Sequence, residues 1–109
     1  MRVILDECLP RRLELALTGH VVSTVSPAGW AGISNEKLLA RISRNYDAFL
    51  TVDKNLPAQQ QTTALTFGVV VLRAPSNWLE DLRPLVSAIL MALTDLQPGS
   101  VVMAPHEQA

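Results

Sequence analysis

Arg2-Val-Ile-Leu-Asp-Glu7 is the stretch that decides the fold, because a run of apolar residues stops there on two adjacent carboxylates. A continuous apolar run is typical of a parallel strand buried on both faces. In open α/β sheets, ligands bind outside the carboxyl ends of such strands. A second apolar run, from Ala48 to Val52, ends in the same way on Asp53. We therefore predict two parallel strands that both deliver a carboxylate to one edge of a sheet.

The remaining elements are predicted from periodicity, caps and breakers. A short helix over 11–17 follows Pro10, and a strand over 21–25 comes next, so a parallel and right-handed crossover is expected. Ser34 or Asn35 can cap a helix that runs to about Asn45. A third helix is predicted from Trp78 to about Leu96 with a break near Pro84, and its expected cap is Asn77, with Glu80 three residues later. The other predicted strands cover 67–72 and 100–103, the last at an edge.

This order of elements predicts the fold class. We expect one small three-layer α/β domain over residues 1–109, with a mainly parallel sheet of four to five strands in the order 2-1-3-4. A chain of 109 residues suits one domain. Residues from about 104 are expected to form a loose tail. Trp30 in the loop after the second strand is predicted to plug the core, with a position over the ligand crevice as the alternative.

Composition restricts the function classes. The net charge is −1, so any binding of nucleic acid must depend on a local cluster of cations. A lone cysteine, Cys8, and the absence of a signal peptide or a long apolar span predict a cytoplasmic protein without membrane association. Because 49% of the residues are hydrophobic, we expect some apolar surface to meet a partner. The apolar last helix predicts a homodimer.

The two acidic strand ends suggest a metal site. In the order 2-1-3-4, the first and third strands flank the point where the chain reverses direction, so Asp6 and Asp53 should lie close together. Crowded carboxylates repel each other unless a cation neutralises them. Mg²⁺ or Mn²⁺, which prefer oxygen ligands, would satisfy such a site and could activate water for phosphodiester hydrolysis.

Other polar residues near this edge have a functional and a plain interpretation. Glu7 either supports the metal site or faces solvent, and Glu36 either joins the site or complements the helix dipole. Arg11, Lys54 and Arg73 either hold phosphates or are solvated surface cations. Asn77 is a helix cap or a ligand. Cys8 is most simply a small buried residue, because no nearby histidine supports a catalytic thiol.

At these residues the chain resembles the PIN-like family, which is grouped with VapC-type toxin ribonucleases. The resemblance covers most of the chain and depends on the order and spacing of several pieces. These are Leu5-Asp6-Glu7-Cys8-Leu9-Pro10, Gly29-Trp30-Ala31-Gly32 with Asn35-Glu36-Lys37-Leu38-Leu39, Thr51-Val52-Asp53-Lys54-Asn55-Leu56 with Gln59-Gln60, and Val71-Leu72-Arg73-Ala74-Pro75-Ser76-Asn77.

The resemblance implies a parallel sheet with an acidic Mg²⁺ or Mn²⁺ site that cleaves RNA, in a toxin held by an antitoxin protein. Asp6 and Asp53 match the family's metal-binding acids, and Glu7 is a further match. Family members carry a carboxylate at the start of the second helix, where this chain has Asn35 and then Glu36. The leading hypothesis is therefore a metal-dependent endoribonuclease. Its RNA-binding residues would be Arg11, Lys54, Asn55, Arg73 and Asn77.

Two other hypotheses remain open. A receiver domain also has acids after its first and third strands, but it needs a Ser or Thr after the fourth strand and a Lys after the fifth. This chain has Arg73-Ala74-Pro75 and Met103-Ala104-Pro105 there. A degenerate PIN-like module that only binds a partner would keep the fold without catalysis.

Overall fold

Five parallel strands form one sheet in the order β2-β1-β3-β4-β5. They are β1 (Arg2–Leu5), β2 (Val21–Thr24), β3 (Ala48–Thr51), β4 (Gly68–Leu72) and β5 (Val101–Ala104). The structure is a computed structural model and describes residues 1–25, 32–54 and 65–105. The predicted order 2-1-3-4 is confirmed, and β5 adds the predicted edge strand.

Burial follows the position of each strand in the sheet. β3 and β4 are buried at every residue, and β1 is buried after its first residue. The outer strands β2 and β5 are less buried, with exposed first residues. Continuous apolar runs therefore occur where a strand has a neighbour on both sides and a helical layer on both faces.

Helices cover both faces of the sheet. They are a 3₁₀ helix η1 (Arg11–Ala16), α1 (Asn35–Asn45), α2 (Leu79–Leu82), a 3₁₀ turn η2 (Arg83–Leu85) and α3 (Val86–Asp95). Within the described ranges, no helix is long and apolar enough to cross a bilayer. The predicted break near Pro84 is confirmed by η2, which separates α2 from α3.

Alternate strand residues build two cores. Val3 and Leu5 face the layer formed by η1, α2 and α3, which contributes Leu13, Leu82 and Ile89 among others. Ile4 and Phe49 face the opposite side and pack with Leu38, Leu39 and Ile42 of α1. The sheet thus lies between two helical layers, as the sequence predicts.

The crossovers do not all have the same hand. The connection from β1 to β2 through η1 and the connection from β4 to β5 through α2 and α3 pack on the same face. They lead to strands on opposite sides of the sheet. Two parallel crossovers on one face that move in opposite directions have opposite hands. The crossover through α1 uses the other face and moves away from β2, so it shares the hand of the first. The last crossover therefore has the opposite hand to the other two, so these crossovers cannot all follow the right-handed rule.

Several local predictions need correction. The predicted short helix over 11–17 is a 3₁₀ helix of six residues, a long run for that type. The first residue of the predicted tail, Ala104, is buried in β5. Asn77 is not the cap of α2, because the N-cap position is Trp78 and the Trp78 N–H is accepted by the Ser76 hydroxyl. Ser34 caps α1 as predicted, since its Oγ accepts from the Lys37 N–H. Trp30 and residues 106–109 lie outside the described residues.

Candidate functional site

The candidate site is at the carboxyl edge of the sheet, which is where the carboxyl ends of the parallel strands meet. β1 and β3 are neighbours there, and the chain leaves β1 toward β2 but returns to β3 on its other side. This arrangement is a topological switch point, the usual location of ligands in open α/β sheets. Asp6 follows β1 directly, and its N–H donates to the Leu50 carbonyl of β3 over 2.9 Å. The predicted switch point therefore exists, and Asp6 lies at it.

Asp6 and Asp53 are connected through the hydroxyl group of Thr51. The Thr51 Oγ1 donates to Oδ2 of Asp6 over 2.6 Å and accepts from the Asp53 N–H over 3.0 Å. Thr51 is fully buried, whereas both aspartates are partly buried. The buried hydroxyl thus fixes the Asp6 carboxylate and the backbone of Asp53 relative to each other.

Thr51 was not predicted as a site residue, although the strand register contains the necessary signal. Leu5 pairs with Leu50, so the next residues, Asp6 and Thr51, follow side by side. Side chains alternate along a strand, so these two emerge on the same face. A polar residue that follows a pair of buried leucines is the feature that could have identified this contact.

The other oxygen of the Asp6 carboxylate, Oδ1, also accepts a hydrogen bond. This oxygen accepts from the Glu7 N–H over 2.8 Å, and the Asp6 carbonyl accepts from the Leu9 N–H over 3.0 Å. Each carboxylate oxygen has about two lone-pair sites. The Thr51 hydroxyl, the Glu7 N–H and the Cys8 thiol, which also hydrogen-bonds this carboxylate, use three of the four sites, so one site remains for a further ligand.

Cys8 lies against the same group of residues. Burial raises the pKa of the Cys8 thiol above its ordinary value, and hydrogen bonding with the Val52 backbone opposes this. The negative charge of Asp6 and its hydrogen bond with the thiol raise the pKa further, while Thr51 lowers it. The thiol is therefore protonated at neutral pH and is not an activated nucleophile, as the sequence analysis expects.

The loop after β4 is tied to the loop after β1. The Asn77 side-chain amide Nδ2 donates to the Cys8 carbonyl over 2.6 Å. The Ser76 hydroxyl accepts from the Trp78 N–H over 3.0 Å and also hydrogen-bonds the Asp81 carboxylate. Asn77, predicted as a cap or an RNA ligand, thus joins two loops of the carboxyl edge.

The other predicted site residues are mostly exposed. Glu7 and Glu36 have exposed side chains, and Glu36 is in the first turn of α1, the end of that helix nearest the carboxyl edge. The predicted cations Arg11, Lys54 and Arg73 are exposed as well. Asn55 lies outside the described residues.

A divalent cation such as Mg²⁺ needs several converging oxygen donors. Within 1–25, 32–54 and 65–105, no three or more His, Cys, Asp and Glu side chains converge in a way that could hold a metal ion. The expected trio of Asp6, Glu36 and Asp53 is therefore not assembled. Mg²⁺, however, is commonly held by one or two carboxylates together with water and substrate phosphates. Asp6 and Asp53 follow adjacent strands at one edge of the sheet and match that smaller number of carboxylates.

A concave surface of about 320 Å³ occurs elsewhere, between α3 and β5. Its lining comprises Ala88, Met91, Ala92, Asp95, Val102 and Met103, none of which is a predicted site residue.

Comparisons of the chain with family models, with curated proteins and with solved structures find no match. The functional argument therefore depends on the geometry of the carboxyl edge.

Proposed function

We propose that this protein is a PIN-like, metal-dependent ribonuclease that hydrolyses RNA phosphodiesters at the carboxyl edge of its sheet. The observation that carries the proposal is the pair of aspartates at adjacent strand ends, Asp6 and Asp53, connected through Thr51 at the switch point. A carboxylate at a strand end commonly acts as a turn or cap residue, whereas here one buried hydroxyl binds both the Asp6 carboxylate and the Asp53 backbone N–H.

In this proposal, Asp6 and Asp53 hold one Mg²⁺ or Mn²⁺. The ion would activate a water molecule and stabilise the charge that develops on the phosphoryl group. Thr51 and the Glu7 N–H orient Asp6 so that its remaining lone pair would face the ion. Glu7 follows Asp6 in sequence, and Glu36 is in the first turn of α1 at the same edge of the sheet. Both side chains are exposed, so they would contribute only by turning inward when the ion and the RNA are bound.

The substrate would be held by exposed cations at the same edge. Arg11 begins η1 directly beyond the β1 loop, Lys54 follows Asp53, and Arg73 follows β4. With a net charge of −1, the chain as a whole does not attract RNA electrostatically. These three cations would supply a local electrostatic attraction instead. Asn77 supports this surface indirectly by holding the two loops together.

The biological role in this proposal is that of a toxin restrained by an antitoxin protein. This part depends on the resemblance of the acidic motifs to VapC-type toxins. A homodimer through α3 is part of the same proposal, supported by the exposed Met91 on that helix. The cytoplasm is the compartment proposed for it.

A second candidate function is a PIN-like module that binds a partner and has no catalytic activity. One observation favours it: the described residues bring together two acids at the carboxyl edge, and not the three of the expected metal site. Two carboxylates hold a divalent ion more weakly than three. The experiment below separates the two functions.

The deciding experiment compares wild type with Asp6→Asn and Asp53→Asn on labelled RNA in the presence of Mn²⁺. We expect wild type to cleave the RNA and each variant to lose more than about 100-fold in activity, beyond what loss of an outer-shell partner causes. We also expect Mn²⁺ to raise the melting temperature of wild type alone, because an ion that binds only the folded state stabilises it.

The matched control is Asp47→Asn. Asp47 precedes β3 at the opposite edge of the sheet, and its carboxylate accepts from the Arg2 N–H over 2.8 Å, an interaction that the asparagine oxygen can keep. This variant should cleave RNA and respond to Mn²⁺ as wild type does. Absence of cleavage by wild type, with all variants folded, would support the binding module instead.

A further inference from the structure

Trp78 is unusually exposed for a tryptophan, and it is near the candidate site. Its side chain is 67% exposed, whereas tryptophan is highly buried on average in folded proteins. It is the residue directly before α2, in the connection that leaves the carboxyl end of β4. The hydrophobic core gives no reason for a large ring at this position.

Hydrogen bonds fix Trp78 close to the acidic residues. Its N–H donates to the Ser76 hydroxyl over 3.0 Å, and the preceding residue, Asn77, donates to the Cys8 carbonyl over 2.6 Å. The Cys8 thiol in turn contacts Asp6. With about 3.8 Å between consecutive Cα atoms, the Trp78 backbone is on the order of 10 Å from Cys8. The residue that carries the ring therefore lies at the rim of the candidate site.

The surroundings of the ring favour a nucleobase over a protein surface. Trp78 is the only large exposed apolar side chain in the connection over 73–78, and the exposed residues there include Arg73 and Asn77. Arg11 and Lys54 add exposed positive charge at the same edge. A lone aromatic face beside cations is the combination that binds single-stranded nucleic acid, where bases stack on rings and phosphates meet cations.

We propose that Trp78 is a stacking platform for an unpaired base of the RNA substrate. This inference rests on the proposed function and extends it, because it names the substrate class. In a duplex, base faces are covered by their neighbours, and the ring has nothing to stack on. The substrate is therefore single-stranded RNA or the unpaired part of a folded RNA.

The test measures RNA binding separately from cleavage. Binding of a labelled single-stranded RNA of about 12 nucleotides is followed by fluorescence anisotropy in EDTA, where no cleavage occurs. Trp78→Ala should weaken binding by about 5-fold to 150-fold, the effect of removing one aromatic–base stack. Trp78→Phe should restore much of the affinity. A blunt RNA duplex of equal length should not distinguish the variants.

Val21→Ala is the matched control, because Val21 is also 67% exposed but begins β2 at the other edge of the sheet. It should bind RNA as wild type does. Equal affinity of wild type and Trp78→Ala for the single strand overturns the platform, as does an affinity loss that is the same for the duplex. A change of oligomeric state in Trp78→Ala without an effect on RNA also overturns it and assigns the ring to a protein interface.

The two proposals fail in different ways. If wild type cleaves RNA in Mn²⁺ and Trp78→Ala does so with unchanged KM, the nuclease stands and the platform is wrong. If wild type binds single strands through Trp78 but does not cleave them, the platform stands and the hydrolase is wrong. If wild type neither binds nor cleaves single-stranded RNA, both are wrong.

Discussion

One buried hydroxyl group, that of Thr51, makes the two aspartates of the candidate site a unit. It is fully buried and contacts the side chain of Asp6 and the backbone of Asp53. Removing one member of a buried hydrogen bond is costly, because the polar group that remains loses a bond that water cannot replace. Thr51 is thus a positioning residue under the nuclease proposal and a structural residue under the module proposal.

Thr51→Val removes this hydroxyl at nearly constant volume. We expect the free energy of unfolding to fall by about 2–3 kcal/mol, because a carboxylate and an N–H both lose their partner. RNA cleavage should fall as well, if the enzyme proposal holds. Urea unfolding measures the first effect and a Mn²⁺-dependent cleavage assay the second.

Thr51→Ser is the matched control, since it keeps the hydroxyl and loses one buried methyl group. Its cost should be about 1 kcal/mol, with cleavage retained. Equal destabilisation by the valine and serine variants would show that the hydroxyl contributes nothing beyond packing. That result would contradict the central contact of the site.

The aspartates could be predicted from sequence, whereas their connections could not. Asp6 and Asp53 each end an apolar run, a pattern visible without any pairing information. Threonine is common in strands, so Thr51 attracts no attention until the register places it beside Asp6. The bond from Asn77 to Cys8 spans 69 positions in the chain and needs the folded structure. The exposure of Trp78 could not be predicted either, because in the sequence this residue indicates only the start of a helix.

The packing of α3 on the sheet requires a glycine at the start of β4. A Cβ atom added at Gly68 would lie 2.6 and 2.7 Å from the two methyl carbons of Leu96, which follows α3. Leu96 is 8% exposed and belongs to the core on the η1 and α3 face. The end of α3 can therefore approach the sheet only where no side chain intervenes.

Gly68→Ala should destabilise the protein by about 1–3 kcal/mol, the usual cost of overpacking a core. The double variant Gly68→Ala, Leu96→Ala should be less destabilised than the sum of the two single changes, because the smaller residue makes room for the added methyl group. Chemical unfolding of all four proteins gives the coupling energy. Additive effects would mean that the two residues do not touch.

Elements with a strong local signal were predicted well, and those set by tertiary contacts were not. The five strands coincide with apolar runs in the sequence, and Pro84 indicates the break between α2 and α3. Boundaries of β2, β3, β4 and β5 shifted by one residue; Val52 and Phe67, for example, lie beside β3 and β4 but outside the ladders. The cap of α2 was assigned to Asn77 by spacing, but Asn77 turns instead to Cys8, and Ser76 binds the helix start.

The whole chain has one topological feature that sequence could not indicate. Handedness depends on which face receives each connection, and the apolar residues of α3 would suit either face. Ile89 and Leu93 pack on the same face as Leu13 of η1, which gives the last crossover the opposite hand to the first two. This arrangement leaves the outer side of α3 next to edge strand β5, where Ala88, Met91 and Met103 line the concave surface.

That surface is the proposed dimer interface, and Met91 tests it. Met91 is 71% exposed, which is high for a large apolar side chain in a chain with 49% hydrophobic residues. Met91→Asp places a carboxylate beside Asp95 and would meet its own copy across a twofold interface. We expect the dimer to weaken more than about tenfold, because like charges within an interface cost several kcal/mol. Sedimentation velocity over a concentration series measures the change.

Leu15→Asp provides the control for added charge. Leu15 is 76% exposed on η1 and is not part of the concave surface. The same carboxylate at that position should leave the association of the protein unchanged. If wild type sediments as a monomer at all concentrations, or if both variants behave alike, then α3 does not form a dimer interface. The exposed apolar residues beside β5 would then be available to a different protein, which under the toxin proposal is the antitoxin.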